Sequence, residues 1–575
     1  MGSSKIDIPL KYERVFLKKL FLLLVLVASV AYSQTEYVRS ENPVYNFLER
    51  MESLNILPDY NKFEIPKTRK DISEYIAQIS THKIELDNSD RELLNDFVVE
   101  FGFDLAEINA NIQDSISAPI SLFGSKDDFK LFSDKEKYMY FYNEKGKAAL
   151  FVSLFAGGEV IDYKHESLEN KSAFLGTIGG EIRGTFLDHF GFYIRGSNGN
   201  AFGDREAALQ KEELKYSYKF NEKPDETFFD ETEGYLAADY DIIRFKIGRD
   251  RLNIGYGSNK PILGNTAPVF DYVSMNLKYK FFTFSFFHGK LLGNSYDIID
   301  TVTDVDHYVA EKYIAYHRLG LNISKDVDFG IGEIVVYGER SIDLSYLNPF
   351  AFYKSIEHSN RDRDNAMLFA DFNNNSITGF NIYSTLLIDD ITFGKVGKGW
   401  WGNEIMFNAG FYSSVLYKII PLDFRFDYLR IEPYTFSHRL LRNNYTNYSY
   451  KLGADDADPN SYVLSSDFIY RLNHRFNLSA GFVYSVHGAN PVDEYGNVIQ
   501  NVGGDIQLGH RLSDSETVHF LDGALEYKRK ISFSVNYEPI NQYNIAAYIE
   551  YANQSLQNGI KNNYFTFILS LGIKI

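Results

Sequence analysis

The chain has no cysteine among its 575 residues. This absence excludes a disulfide framework, a thiolate metal site and a cysteine-linked lipid anchor. Long apolar runs are also missing after residue 33, so no transmembrane helix is expected. Proline is scarce, with 14 residues, and no Pro/Ser-rich linker divides the chain into separate globular domains. One large closed sheet accounts for this length better than several ordinary domains.

The composition is instead aromatic and acidic. Phenylalanine occurs 47 times and tyrosine 43 times, which suits the aromatic girdles that membrane barrels carry at both bilayer interfaces. The formal net charge of −18 disfavours nucleic acid as a partner, because phosphate backbones attract basic surfaces.

The end of the chain alternates between apolar and mixed side chains. Segments 525–538 and 543–552 alternate in the same way, and each spans at least ten residues, whereas strands of soluble proteins are usually about five or six residues long. This pattern predicts a membrane barrel with lipid outside and a wet lumen. The apolar positions of the last segment, 562–575, are Phe565, Phe567, Leu569, Leu571, Ile573 and Ile575.

One inner segment, 422–431, shows what is expected to face the lumen. Its predicted lipid-facing side chains are Leu422, Phe424, Phe426 and Tyr428. Its predicted lumen-facing side chains are Asp423, Arg425, Asp427 and Arg430. Mixed charges of this kind either line a pore or pair across the lumen and close it.

The number of strands follows from the asymmetry between short turns and long loops that outer-membrane barrels show. Eight tight turns separate nine longer connections, so the sequence predicts about eighteen antiparallel strands, beginning at 148–163. Segment 211–219, inside a long connection, is a possible extra hairpin. The predicted turns lie at 188–189, 239–240, 278–280, 325–326, 373–375, 420–421, 473–474 and 539–541, and the predicted long loops at 164–172, 199–231, 251–268, 292–310, 339–363, 389–402, 434–460, 489–521 and 555–561.

The start of the chain reads as an export signal. Residues 11–19 are basic, residues 20–30 are apolar, and Ala31-Tyr32-Ser33 offers small residues for cleavage, so residues 1–33 are predicted to be a signal peptide. Together with the barrel pattern, this predicts the outer membrane of a Gram-negative bacterium as the location.

Helical spacing follows the predicted signal. Apolar residues recur with helical periodicity from Val44 to Leu54, and Thr68 and Ser89 are suitable caps for two further helices. We therefore expect a periplasmic helical region over residues 34–135 and the barrel over 136–575. The helices either lie beside the barrel or plug its lower mouth.

Two stretches are candidates for ligand binding. Residues 244–261 are basic and rich in glycine in an acidic protein, which suits an anionic group, although the alternative is a constricting loop held by its own hydrogen bonds. No G-x-G-x-x-G opens a helix there, so a nucleotide loop is excluded. The paired Trp400 and Trp401 suit stacking against sugars, and the alternative is anchoring at the membrane interface.

Other polar groups point to no chemistry. The acidic pairs and runs at 389–390 and 455–458 have oxygen ligands that suit calcium, but such runs are more often only solvated, and no metal site or cofactor is predicted. Histidines 317, 358, 487 and 510 belong to no Ser/His/Asp arrangement. An enzyme is therefore not expected.

Three stretches resemble the Wzi family of capsule assembly outer-membrane proteins: 247–265, 346–358 and 386–390. The resemblance implies an eighteen-stranded barrel occluded by a periplasmic helical bundle. It also implies a non-enzymatic function, which is to retain capsular or exopolysaccharide at the cell surface. The glycan-binding candidates are Arg249, Arg251, Tyr256, Asn259, Lys260, Asn348, Tyr353, Trp400 and Trp401.

The expected partners are surface polysaccharide, outer-membrane lipid and, during biogenesis, the barrel-insertion machinery. The main alternative is a diffusion channel for small solutes or oligosaccharides that the helical region gates. A weaker alternative is an adhesion barrel whose loops bind another protein.

Overall fold

Eighteen antiparallel strands form a closed barrel in the computed structural model. The structure describes residues 34–108, 118–124, 129–144, 148–165, 169–187, 189–223, 225–300, 304–557 and 559–575, so the predicted signal peptide lies outside the described residues. The strands are β1 (Ala148–His165), β2 (Lys171–Phe186), β3 (Phe190–Gly203), β4 (Phe228–Tyr240), β5 (Ile243–Asp250), β6 (Phe270–Tyr279), β7 (Phe282–Asp300), β8 (Asp304–Ser324), β9 (Val327–Gly338), β10 (Asn365–Asn374), β11 (Phe380–Asp390), β12 (Glu404–Ser413), β13 (Leu422–Ile431), β14 (Ser461–Asn473), β15 (Phe476–Ala489), β16 (Ala524–Ile540), β17 (Tyr543–Leu556) and β18 (Lys561–Lys574). Pairing of β18 with β1 closes the barrel.

The connections alternate between a short-turn end and a long-loop end, as predicted. Six of the eight short connections lie within two residues of their expected positions, whereas 375–379 extends four residues beyond its expected end and 414–421 begins six residues before its expected start. The predicted loop 292–310 is wrong, because β7 and β8 continue their pairing above a bulge, from Ser295 opposite Val309 to Asp300 opposite Asp304. Segment 211–219 is not a hairpin either. It lies in the short helices Glu212–Tyr216 and Tyr218–Glu222, which follow another, Arg205–Ala208.

The outward face of the barrel is apolar and exposed. Ile549, Phe565 and Leu571 present their side chains there, as the alternation predicts for a lipid-facing belt. The assignment of Arg430 to the lumen is wrong. Leu429 takes the buried inward position, and Arg430 faces outward, where it pairs with Glu432 at 2.7 Å near the long-loop end.

Within the described residues, four α-helices precede the barrel and lie at its short-turn end. Thr68 caps α2, as predicted, since its hydroxyl accepts a hydrogen bond from the Asp71 amide. Ser89 is not the cap of α3, because Asp87 accepts the equivalent bond from the Asp90 amide and Ser89 lies inside the helix. No helix of the described chain is both long and apolar enough to cross a bilayer. The helices are α1 (Val44–Ser53), α2 (Arg69–Thr81), α3 (Asn88–Glu100) and α4 (Gly102–Glu107).

The barrel wall is uneven at its long-loop end, because neighbouring strands end at different heights and leave part of β4 unpaired on one side. Because β5 ends at Asp250 and β6 begins only at Phe270, residues 228–233 of β4 have a paired strand on one side only. The connection between β5 and β6 turns into the lumen instead. At the short-turn end, two strands outside the barrel, Ile120–Phe123 and Lys137–Glu144, extend the sheet beside the start of β1.

Candidate functional site

The connection between β5 and β6, here called the inward loop (residues 251–269), fills part of the lumen. It meets a strand segment that rises from the helices, since Glu64–Ile65 pairs with Asn253–Ile254. The Gly255 amide also donates to the Phe63 carbonyl over 2.8 Å. The plug is thus built jointly from the long-loop end and the short-turn end.

A second long connection, the cover loop (residues 432–460), packs on the inward loop. The Gly264 amide donates to the Leu452 carbonyl over 2.8 Å, and the Tyr445 hydroxyl donates to the Ile262 carbonyl over 2.7 Å. Inward side chains of β6 to β14 complete an apolar core around them. The predicted wet lumen is therefore wrong for this half of the barrel. Residues of that core are Ile254, Tyr256, Ile262, Leu263, Tyr316, Ile334, Met367, Phe369, Leu387, Leu429, Phe436 and Leu452.

Two charged groups lie at the contact between these loops. Burial, with help from neighbouring cations, lowers the pKa of Lys260 to about 7. Burial raises the pKa of Asp455 to about 7, and its carboxylate accepts a hydrogen bond from the Thr266 hydroxyl at 3.0 Å. The contact between the loops therefore titrates near neutral pH.

The other half of the lumen is hollow and polar. A cavity of about 1520 Å³ reaches from Glu136 and His474 at the short-turn end to Lys211 and Asn447 at the long-loop end. Acidic and basic side chains both line it, so the cavity does not select solutes by the sign of their charge.

Arg249 and Arg251 stand where this cavity meets the uneven stretch of wall. Arg249 binds the Asp271 carboxylate through two hydrogen bonds of 2.9 and 2.8 Å and remains accessible. Arg251 donates to the Asn265 carbonyl over 3.1 Å. The structure places these two predicted residues at one edge of the cavity.

A buried charge network clamps α1 to the barrel. The Arg50 guanidinium is fully buried and binds Asp423 of β13 and, at 2.9 Å, Asp90 of α3. Arg471 of β14 binds the other oxygen of Asp423. Because each member of the network has an opposite charge beside it, the helix is held against the wall without an isolated buried ion.

A second ionic cluster lies one residue earlier in α1. Glu49 contacts Lys62 and Arg425, each at 2.5 Å. Although burial by itself would raise it, the pKa of Glu49 is lowered to about 2 by these two cations. Burial raises the pKa of Glu52 well above its usual range, and Asn373 donates to its carboxylate over 2.7 Å. These contacts support the predicted alternative in which the helices plug the mouth of the barrel, and not the one in which they lie beside it.

The two tryptophans lie at the long-loop end in an aromatic patch (Trp400, Trp401, Tyr434 and His510). The Trp401 ring stacks on His510 at 3.9 Å with an interplanar angle of 6°, and it meets Tyr434 edge-on at 5.9 Å. Lys395 lies 2.9 Å above the centre of the Trp400 ring. Three connections of the chain thus contribute to the patch, in which Trp400, Trp401 and His510 are half-buried and Tyr434 is fully buried.

The remaining predicted residues divide by burial. Tyr256 and Asn259 are buried in the plug, and Lys260 is half-buried beside them. Tyr353 is also fully buried, whereas Asn348 of the same connection is exposed. A polysaccharide that approaches the folded protein does not reach the buried side chains, so the predicted binding role fits the accessible residues best.

His510 and Tyr434 were missed by the sequence reasoning because nothing in their local sequence links them to Trp401. Two residues of the acidic run 455–458 form ion pairs: Asp456 with Lys530 at 3.2 Å and Asp458 with Lys451 at 3.0 Å. Within the described part of the chain, one group has carboxylate and imidazole atoms close enough to share an ion. It consists of Glu357, His358 and Asp362, and the latter two are exposed.

The family model described as capsule assembly protein Wzi matches residues 163–554, more than half of the chain. The chain belongs to the Wzi family. Among solved structures, Wzi from Escherichia coli aligns over 94% of this chain and 99% of its own, with 12% identity and a TM-score of 0.52. Its description is an outer membrane protein involved in group 1 capsule assembly and a carbohydrate-binding β-barrel. The Wzi likeness at this identity shows the shared fold.

Two barrels of Pseudomonas aeruginosa align over less of the chain. OpdQ covers 74% of it and 98% of its own length, with 9% identity and a TM-score of 0.40. OccK5 (OpdH) covers the same shares, with 10% identity and a TM-score of 0.42. A search of curated proteins finds no sequence match.

Proposed function

We propose that this protein binds capsular or exopolysaccharide at the outer membrane and helps to attach it to the cell surface, without catalysis. Membership of the Wzi family supports the general role. The observation that carries the proposal for this chain is the aromatic patch, because half-exposed indole rings held by neighbouring loops offer flat faces to sugar rings.

The proposed orientation places the long-loop end outside the cell. The helical region 34–135 then lies in the periplasm after removal of residues 1–33. The clamp between Arg50 and Asp423 supports this arrangement, because helices held inside the short-turn mouth are reached from the periplasm. Barrel-insertion machinery and outer-membrane lipid are the further partners of this proposal.

Accessible charged and polar groups extend the proposed binding surface. Arg249 and Arg251 are positioned to contact acidic groups of a polysaccharide that enters the cavity. Asn348 is exposed too, but the next residue, Pro349, contacts the outward-facing His317 of β8, so Asn348 is not assigned to this surface. Tyr256, Asn259 and the half-buried Lys260 belong to the inward loop, which supports the cover loop packed on it. Tyr353 packs instead against His317 and Glu333 on the outward face of the barrel.

Replacing Trp400→Ala tests the proposal. Loss of a tryptophan that contacts a ligand costs about 2 kcal/mol, which corresponds to roughly thirtyfold in affinity. We expect less cell-associated polysaccharide and weaker binding of the purified polysaccharide, with partial rescue by Trp400→Phe. Tyr495→Ala is the matched control, since Tyr495 is 81% exposed on the connection that also carries His510 and is not one of the patch residues. Unchanged polysaccharide retention in Trp400→Ala, with the barrel folded, would refute the assigned surface.

The polar cavity favours a second candidate function, a diffusion channel for small solutes or oligosaccharides. Its lining reaches from the short-turn end to the long-loop end beside the docked helices. Planar-bilayer recording of the purified full-length protein tests this function. Steady ion conductance supports it, and a silent protein excludes it.

A further inference from the structure

The wall of the barrel has a gap toward its long-loop end. Strands β5 and β6 end at the same height, where Arg249 is paired with Asp271, and the chain between them turns into the lumen. Above this height, β4 continues through residues 228–233 and β7 continues to Asp300. No strand of the described chain lies between β4 and β7 there. The gap above the Arg249–Asp271 pair is here called the window.

The polar cavity of about 1520 Å³ reaches the window from every side. Its lining includes Thr232 of β4 on one side and Leu292 of β7 on the other. Arg249 lines it below the window, and Tyr218 lines it above. Behind the window, Asn265 is exposed although it belongs to the inward loop. The cavity and the surroundings of the barrel are therefore continuous through the window.

The top of the cavity is covered by the three short helices between β3 and β4, here called the roof helices (residues 205–222). Phe220 of these helices belongs to one buried apolar cluster with Ile161, an inward residue of β1. At the opposite edge, the Tyr216 ring meets the Tyr450 ring of the cover loop edge-on at 4.8 Å. A chain that comes straight down from the long-loop end meets the roof helices, whereas the window lies beside them.

The window lies above the apolar surface of its own strands. Phe245 and Ile247, which point outward from β5, are exposed, as expected for lipid-facing side chains. The next outward residue of β5 is Arg249, whose pair with Asp271 at 2.8 Å leaves both side chains accessible. Charged side chains that face acyl chains destabilise a barrel. The window therefore opens to water or to polar headgroups, and not to the lipid core.

Charged residues around the window are held in pairs of opposite sign. Lys211 of the roof helices contacts Glu159 of β1 at 2.8 Å, and Arg195 of β3 contacts Glu231 of β4 at 3.5 Å. All four residues line the cavity. Each pair presents oriented N–H donors beside carboxylate acceptors, and hydrogen bonds to charged groups are the strong ones. Because a hydroxyl group both donates and accepts, this lining suits the hydroxyl groups of sugars better than an isolated ion.

The size of the cavity indicates a chain and not a single small molecule. Its volume of about 1520 Å³ exceeds the range of about 300–1,000 Å³ that is usual for small-molecule sites. It also extends from the window to Glu136 and His474 at the short-turn end. Several consecutive sugar units therefore have room along it.

We propose that the window admits a polysaccharide chain sideways into the cavity, where consecutive sugars bind to the paired charges of the lining. The inference rests on the proposed function and on the proposed orientation, with the long-loop end outside the cell. It adds a second contact for the polysaccharide, since the cavity lining does not include the tryptophans of the aromatic patch.

Cysteine labelling on intact cells tests this entry route. Because the chain has no cysteine, Thr177→Cys in the cavity lining of β2 creates a single reactive thiol. A membrane-impermeant maleimide, added to cells of a Gram-negative host that makes no capsule, reaches this thiol from outside. We expect Thr232→Trp, which adds an indole at the edge of the window, to prevent labelling within the time that labels the parent variant fully. Purified surface polysaccharide should protect the thiol of the parent variant in the same way.

Asn198→Trp is the matched control, because Asn198 is exposed on β3 and is not part of the cavity lining. Labelling should stay as fast in this variant. Asp230→Trp gives a second test at the same edge of the window if Thr232→Trp does not insert, since Asp230 is exposed and lines the cavity.

A parent thiol that is never labelled, or equal labelling of the parent and both β4 tryptophan variants, would overturn the inference. Polysaccharide that binds to the cells but leaves the labelling unchanged would overturn it too, while the proposed function would stand. Protection of the thiol that persists in Trp400→Ala would support the cavity as a separate site. Polysaccharide that binds at neither place would overturn the proposed function together with this inference.

Discussion

Replacing Arg50→Met tests whether the buried charge network holds the helices in the barrel. Methionine keeps the helix propensity and much of the side-chain volume, but it leaves Asp90 of α3 without its partner and Asp423 with Arg471 alone. Removing one partner of a buried ion pair costs about 3–5 kcal/mol. At about 1.4 kcal/mol per tenfold change, the population of the undocked state rises by about two to three and a half orders of magnitude.

Hydrogen exchange in detergent micelles measures this change directly. Amides of α1 (Val44–Ser53) should exchange at least about a hundredfold faster in the variant, whereas amides of the barrel strands should not change. Arg442→Met is the matched control, because its pair with Glu339 is solvent-exposed and such pairs are worth about 0–1 kcal/mol. Equal protection of α1 in Arg50→Met and the wild type would show that the network does not hold the helix.

Two further predictions concern the plug. Because the pKa of Asp455 is raised from 3.8 to about 7, the folded state binds more protons than the unfolded state between these values. The free energy of unfolding, measured by urea unfolding at several pH values, should therefore fall as the pH rises from about 4 to about 7. Asp455→Asn should flatten this pH dependence. Lys260→Met should not, because Lys260 titrates above that window. The Ser53 and Ser414 hydroxyl oxygens are 3.0 Å apart, so the double variant Ser53→Cys, Ser414→Cys should form a single disulfide. This disulfide should stabilise the docked helices by about 2–4 kcal/mol. It should also abolish any conductance that the helices gate until a reductant is added. Equal conductance of the oxidised and reduced forms would show that the helices are not the gate.

The strand order could be predicted from the sequence because its signals are local. Alternation shows which face of a strand meets lipid, and turns such as Lys325-Asp326 interrupt it at regular intervals. The same rule failed above the bulge in β7, because both faces of a strand that rises beyond the membrane meet water and the apolar pattern disappears. Arg430 was misassigned for a different reason: alternation holds to the end of the strand and puts Leu429 inward and Arg430 outward, but the prediction followed the charge of Arg430 instead.

The lumen could not be predicted in the same way. Ile262 and Leu263 belong to a connection that reads as an outer loop, and only the tertiary structure brings them to Leu452 and Phe369 in one core. The alternative of a constricting loop for the glycine-rich stretch agrees with the inward loop. Only part of the aromatic patch could be predicted from the sequence. The tryptophan pair stands out there, whereas its stacking partner His510 is about 110 residues away.

Within β9, Glu333 did give a signal that was overlooked. It interrupts the outward apolar series of Ile331, Val335 and Tyr337, and a carboxylate at such a position needs a cover. Its partners Tyr353 and His317 are set by long-range packing and could not be read from local pattern.

The connection between β9 and β10, here called the wall loop (residues 339–364), packs on the outside of the barrel and has a consequence for biogenesis. Strands β8 and β9 can enter the membrane at low energetic cost only when His317 and Glu333 are already covered by Tyr353, the first residue of the short helix Tyr353–Ser359. A surface loop of this barrel must therefore fold together with the strands that it joins, and not after insertion. Substitution of Tyr353 should accordingly reduce the yield of inserted protein.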